Sequence, residues 1–247
     1  MNALGIDIGG SRIKAALVDL GLGKTATKRQ RIDTPQPATP GAIVEACAEV
    51  ASPFVDASPV GVGFPGVVRD GIVYTAQNLH PDWIGFHLEE ALSDRMGRPV
   101  TVLNDADAAG VAEIRFGKGK AVSGSVILLT VGTGLGSALF VDGQLVPNTE
   151  FGRMFFGSDK EAEARLAEPA KQRDGLTEVE WARRFEEFLQ HLEGVFYPEM
   201  IIVGGGGAKH FPQVQEQIQT SCALEHAEAK NKAGIIGAAL WAHECRK

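Results

Sequence analysis

"LGIDIGGSRIKAALVDL" (residues 4–20) sets one apolar strand against another, with Gly9-Gly10 between them and an aspartate just before the break. Alternation of Ile6 and Ile8, then of Ile13, Ala15 and Leu17, predicts two half-buried strands of a hairpin. A hairpin turn accounts for the glycines. It does not account for Asp7, an ionisable group on a strand beside them.

The hairpin recurs. At an offset of 123 residues, "DIGGSRIKAALVD" (7–19) lies over "TVGTGLGSALFVD" (130–142), with identities at Gly9/Gly132, Ala15/Ala138, Val18/Val141 and Asp19/Asp142. Both copies read strand, glycine turn, strand, and the second ends in Asp142-Gly143, a hairpin-turn dipeptide. β-Hairpins resemble one another, which is one explanation. The other is a pseudo-duplicated chain whose two α/β halves face each other across a central cleft.

The intervening segments read as α/β. "PGAIVEACAEVASPFV" (40–55) is a helix with Pro40 at its start, and "PVGVGFPGVV" (59–68) a buried strand leaving through a Pro-Gly turn. "LEEALSDRMG" (88–97) is a helix closed by Gly97, and "PVTVLND" (99–105) a strand running into the helix "ADAAGVAEIRFG" (106–117). Residues 158–197 read as helical and charged, "EMIIVGGGG" (199–207) as a strand meeting a glycine turn, and "AGIIGAALWAHEC" (233–245) as a closing helix. Strands alternating with helices define the class. The expected domains are a small N-terminal one, 1–117 with the returning helix 233–247, and a large C-terminal one, 118–232.

Composition narrows the function. A chain of 247 residues with 44% hydrophobic and 22% charged residues can bury a sizeable core. A net charge of −7 without a long Lys/Arg cluster argues against nucleic acid as a partner. No apolar run approaches the roughly 20 residues of a membrane span, and the N-terminus lacks a signal-peptide pattern, so a cytoplasmic location is expected. Cys47, Cys222 and Cys245 lie far apart with no CxxC, which predicts free thiols and no zinc site.

Two glycine patterns mislead. "GLGKT" (21–25) imitates a P-loop, but Val18 stands where that pattern needs glycine. "GVGFPG" (61–66) fits GxGxxG, yet Pro65 lies inside it and the hairpin "VVRDGIVY" (67–74) follows instead of a helix. "VGGGGAK" (203–209) follows a strand, and its backbone N–H groups could approach a nucleotide closely.

Gly9-Gly10-Ser11 and Gly132-Thr133-Gly134 then stand out as a pair. Such turns present N–H groups to phosphate oxygens, and Ser11 and Thr133 add hydroxyls. Asp7 beside the first turn would hold Mg²⁺ through water, and Lys14 would balance phosphate charge. Asp105 ends a strand and opens a helix, at the sheet edge where open α/β folds bind ligands. An ordinary helix cap explains it. So does a carboxylate that takes the proton of a hydroxyl nucleophile in phosphoryl transfer, with Asn104 orienting the acceptor.

The ordered motifs "DIGGSRIK" (7–14), "FPG" (64–66), "LNDADAAGVAE" (103–113), "TVGTGLGS" (130–137), "NTEFG" (148–152) and "VGGG" (203–206) resemble the ROK sugar kinases. "TPQPATP" (34–40), "NDADAAGVAE" and "LVPNTE" are most similar to the polyphosphate/ATP-dependent glucokinases of that group. The resemblance implies an actin/hexokinase-like (ribonuclease H-like) fold, a homodimer, and phosphoryl transfer from ATP or polyphosphate with Mg²⁺ to the primary hydroxyl of a hexose. It implies that Asp7, Gly9, Gly10, Ser11 and Lys14 form the first phosphate motif. Gly132, Thr133, Gly134 and Gly136 match the second, and Gly204, Gly205 and Gly206 the adenosine-side turn. Asp105 matches the catalytic base. Asn78, Asn104, Asp105, Glu150 and Glu163 match sugar-hydroxyl ligands, with Pro65-Gly66 as a pocket wall.

Departures from the family pattern also carry expectations. Arg153 stands where the family has a histidine. It could fork onto Glu150 or project among the sugar ligands, which predicts a poor glucokinase preferring another or more anionic sugar; alternatively it swings to solvent. The zinc-binding cysteines of many relatives and the DNA-binding helix pair of the regulators are missing. A rival to the kinase is a sugar-binding, weakly active or inactive sensor. Lys28, Arg29 and Arg31 are candidates for a track that carries polyphosphate, or else are a solvated hairpin edge.

Overall fold

The opening stretch forms the expected hairpin: β1 (Asn2–Ile8) and β2 (Arg12–Asp19) pair antiparallel, with Asp7 opposite Lys14. The computed structural model describes residues 1–76, 79–157 and 159–245. They divide into two units, Met1–Ala112 joined by the segment from Lys232 onward, and Glu113–Asn231.

The first unit continues with β3 (Lys24–Thr25), β4 (Gln30–Asp33), α1 (Pro40–Ala51), β5 (Val60–Phe64), β6 (Val68–Arg69), β7 (Ile72–Val73), α2 (Leu88–Met96), β8 (Val100–Asn104) and the start of α3 (Asp105–Phe116). Its sheet has the order β3-β2-β1-β5-β8, with β4 also pairing β2 and with β5 and β8 parallel. β1 lies mid-sheet and is buried except at Asn2 and Asp7. Residues 21–25 form a turn and β3, as their failure to fit a P-loop implies, and β6 and β7 turn through Asp70 and Gly71, both at positive φ.

The second unit runs β9 (Ser125–Val131), β10 (Leu135–Val141), β11 (Gln144–Val146), α4 (Glu163–Leu166), α5 (Glu168–Arg173), α6 (Glu178–Phe196), β12 (Met200–Gly204), α7 (Phe211–Val214) and β13 (Ala223–His226). Its sheet order, β11-β10-β9-β12-β13, repeats that of the first, again with two parallel strands after the hairpin. α6 carries a capping box of Thr177 and Glu180 and buries Trp181, Phe185, Phe188 and Leu192 in a core with Ile127, Leu129 and Val203. The helical stretch expected over 158–197 is broken into three helices. Pro169 starts α5, Gly175 at φ 62° ends that segment, and Thr177 caps α6.

The last helix, α8 (Ala233–Glu244), belongs to the first unit. It is apolar nearly all round and lies directly on β1 and β5. A Cβ on Gly5 or Gly61 would strike the carbonyls of Ile235 and Ala238.

Candidate active site

In the first unit the glycine turn is closed by the Gly9 N–H donating to the Arg12 carbonyl at 3.1 Å, with Gly10 and Ser11 exposed at the tip. Thr34, buried just beyond β4, clasps this turn twice. Its Oγ1 donates to the Gly9 carbonyl at 2.6 Å, and its N–H donates to the Ser11 carbonyl at 3.0 Å. The Lys14 ammonium donates to Asp7 Oδ2 at 3.0 Å. Asp7 also faces the start of α8, where a Cβ on Gly234 would stand 2.9 Å from its Oδ1. Backbone amides at a helix start suit an anionic neighbour.

At the β8–α3 junction two adjacent polar residues divide the work. Asn104 is buried. Its Oδ1 accepts from the N–H groups of Ala106 (2.8 Å) and Asp107 (3.0 Å), and its Nδ2 donates to the Gly66 carbonyl at 3.2 Å. Asn104 is therefore the helix cap, and it also ties the Pro65-Gly66 corner to the junction. Asp105, half-buried, accepts from the Ala106 N–H at 2.8 Å with Oδ1. Gly66 has no room for a side chain, because a Cβ would strike the Thr75 carbonyl.

In the second unit the Gly132 N–H donates to the Gly134 carbonyl at 2.9 Å, and the Glu168 N–H donates to the Gly132 carbonyl at 3.0 Å. Glu163 latches the far side of the turn: its Oε2 accepts from the Leu135 N–H at 2.9 Å, and a Cβ on Gly134 would stand 2.5 Å from that oxygen. Gly136 lies opposite Thr130 on the hairpin. The turn of Gly204, Gly205 and Gly206 abuts the end of β9. Gly205 has φ 90°, and a Cβ there would strike the Val131 backbone.

Ser137 organises the segment that carries Glu150. Its hydroxyl donates to the Thr149 carbonyl at 2.7 Å and accepts from the Phe151 N–H at 2.8 Å. Glu150 is half-buried, and burial pushes its carboxyl above the usual range; the Arg153 charge opposes this and the Glu163 charge adds to it. Arg153 does not fork onto Glu150. Its Nε lies 3.9 Å from Glu161 Oε1, and its side chain is 42% exposed. The acceptor for its charge is a carboxylate eight residues further on, brought near where Phe155 and Glu161 pair as an antiparallel bridge. Asn78 lies outside the described residues.

Thr34, Ser137 and Glu168 went unnoticed in the sequence. Each acts through contacts far along the chain, and the one signal in the sequence was that Thr34 and Ser137 lie within the motifs at 34–40 and 130–137. The three cysteines are free, and burial pushes the Cys47 thiol up to about 12, which leaves it inert at neutral pH. Among the described residues no three His, Cys, Asp or Glu side chains form a metal-binding group, and no helix is long and apolar enough to cross a membrane.

A profile of the ROK family matches residues 3–152. The chain is 42% identical over 240 residues to the polyphosphate glucokinase of Mycobacterium tuberculosis, covering 97% of this chain and 90% of that protein. The chain belongs to the ROK family. Its structure matches the inorganic polyphosphate/ATP-glucomannokinase of Arthrobacter sp. strain KM with a TM-score of 0.94 and 41% identity, covering 99% of each chain. It also matches a ROK family glucokinase of Streptomyces griseus, solved in complex with glucose and AMPPNP, with a TM-score of 0.80 and 26% identity over 99% of this chain and 100% of that one. The fold is that of the ROK sugar kinases, the actin/hexokinase-like architecture.

Proposed function

We propose that the chain is a sugar kinase that transfers a phosphoryl group from polyphosphate or ATP to the primary hydroxyl of glucose. The observation that carries this reading is the division of labour at the β8–α3 junction. Asn104 caps the helix, so Asp105 is not needed as a cap and stands as a positioned carboxylate at the end of a sheet strand. The relatives supply the donor and the acceptor: one is a polyphosphate glucokinase and another a polyphosphate/ATP-glucomannokinase.

In this reading Asp105 accepts the proton of the sugar hydroxyl as its oxygen bonds to the terminal phosphorus. The bond from that phosphorus to the donor breaks, and ADP or a polyphosphate shorter by one unit leaves. Gly9 and Gly132 shape the two turns, their N–H groups held by the Arg12 and Gly134 carbonyls, while the N–H groups of Gly10 and Ser11 with Lys14, and those of Thr133 and Gly134, would take phosphate charge. Gly136 lets the second hairpin approach the donor, and Gly204, Gly205 and Gly206 receive the nucleoside of ATP. Asp7 would hold Mg²⁺ through water. One carboxylate beside a phosphate turn suits an ion that keeps much of its hydration, and the ion would neutralise donor charge.

Pro65-Gly66, Asn78, Asn104, Glu150 and the Oε1 of Glu163 serve the sugar. Arg153, half in solvent and facing Glu161, leaves Glu150 available as an acceptor, so glucose stays the acceptor of choice. A cytoplasmic homodimer completes the reading; light scattering of the purified protein tests the dimer.

Asp105→Asn should lower kcat by about 10² or more while glucose binding by calorimetry and Tm stay near wild type. Near-normal turnover would remove Asp105 from the chemistry. Glucose binding by the wild type with no turnover on either donor would establish the sensor instead.

A further inference from the structure

We propose that Arg31, supported by the exposed Lys28 in the segment just before its strand, is a subsite for the trailing phosphates of a polyphosphate donor; this rests on the donor reading above. Asp7 pairs in register with Lys14 across β1 and β2, and Lys14 pairs in register with Arg31 across β2 and β4. Register partners point to the same face, so the three side chains form a row that leads from the phosphate turn toward the sheet edge, in steps of about 4.8 Å between strands.

The charges along this row are not equivalent. Lys14 is engaged with Asp7 at 3.0 Å, and Arg12 with Asp33 at 3.4 Å. Arg31 and Lys28 are exposed, and among the described residues neither has a carboxylate at ion-pair distance. The strand that carries Arg31 is also indexed to the turn, because Thr34 at its end holds the Gly9 and Ser11 carbonyls. A cation on that strand keeps a constant offset from the phosphate being transferred.

An exposed arginine on a short outer strand can simply be a solvated charge that protects the edge. The continuous row and the clasp favour a built site over that explanation. The chemistry of the two donors separates them further. ATP ends in a nucleoside, which a glycine turn can receive, whereas polyphosphate continues as a polyanion. On a chain of net charge −7, that polyanion needs local cations along its path.

The test compares Arg31→Gln and the double variant Lys28→Gln/Arg31→Gln with wild type on long-chain polyphosphate, tripolyphosphate and ATP. Loss of a charge-assisted hydrogen bond should lower kcat/KM for long polyphosphate by about 10-fold or more and flatten its salt dependence. ATP and tripolyphosphate should stay within about 2-fold of wild type, and Arg31→Lys should recover most of the loss. Equal loss with all three donors would make Arg31 a part of the hairpin's structure, and no loss with long polyphosphate would make the row plain surface; either overturns the subsite. A wild type that uses ATP but not polyphosphate would instead overturn the donor reading, and the subsite with it.

Discussion

The two hairpins share a frame and differ in what they carry. Adding 123 to the bounds of β1 gives those of β9, and both hairpins sit at the same place in sheets of the same order. The registers nevertheless differ by one residue. Ile8 pairs with Ile13 across a four-residue turn, whereas Val131 pairs with Leu135 across a three-residue turn. Such a slip exchanges which side chains meet and which face they take. In the first hairpin Asp7 meets Lys14. In the second, Thr130 meets Gly136, and Ser137 meets Leu129 and holds the Glu150 segment by its hydroxyl. The first hairpin thus carries a charged pair beside its turn, and the second carries an uncharged pair at that place and is latched from outside by Glu163. A repeated frame supplies position; the register decides the chemistry.

The largest expected effect breaks or keeps that contrast directly. Asp7→Asn should lower kcat by about 10² or more, as loss of a group that organises phosphate charge does. Its offset counterpart, Thr130→Val, should leave kcat within about 3-fold. Comparable losses in steady-state kinetics would mean that both hairpins take part in the same way.

A smaller effect sharpens the comparison of the two clasps. Glu163→Ala leaves the Leu135 N–H without its charged partner and should cost roughly 1–3 kcal/mol, while Thr34→Val removes a neutral hydrogen bond worth about 1 kcal/mol. Urea denaturation of both variants checks the order. A Thr34 variant less stable than the Glu163 variant would show that the first turn depends on its clasp more than the second does.

The smallest effect is a pH dependence confined to the second unit. Because burial raises the Glu150 carboxyl, the folded protein binds its proton more readily than the unfolded chain does. Stability therefore declines as pH rises from the ordinary glutamate value of 4.5 through the raised one. Glu150→Gln should flatten that decline. Glucose affinity should move the opposite way in wild type, strengthening over the same window as the carboxylate becomes an acceptor. Stability curves for the two proteins, with glucose KM measured at each pH, test both signs.

Much of this was legible along the chain. Alternation around Ile6 and Ile13, repeated near Leu128 and Phe140, marked both hairpins, because side chains on a strand alternate faces whatever the remote partners are. Glycine turns beside Asp7 and Thr133, and the Asn104-Asp105 pair at a strand end, marked the positions proposed for phosphate and base for equally local reasons. The motif order carried the family.

What tertiary structure alone decided are contacts between distant segments. Thr34 reaches a carbonyl 25 residues away, Glu163 an amide 28 away, and the buried Glu113 takes the Ala229 N–H across 116 residues. The register slip, the cap at Asn104 and not Asp105, the turn of Arg153 toward Glu161 and the alignment of Arg31 with Lys14 are of the same kind. The long-range clasps and the cap depend on which backbone donors and acceptors stay unpaired once the sheets have formed. Those groups must then be satisfied by whichever side chain the fold brings near, and no local periodicity encodes that choice.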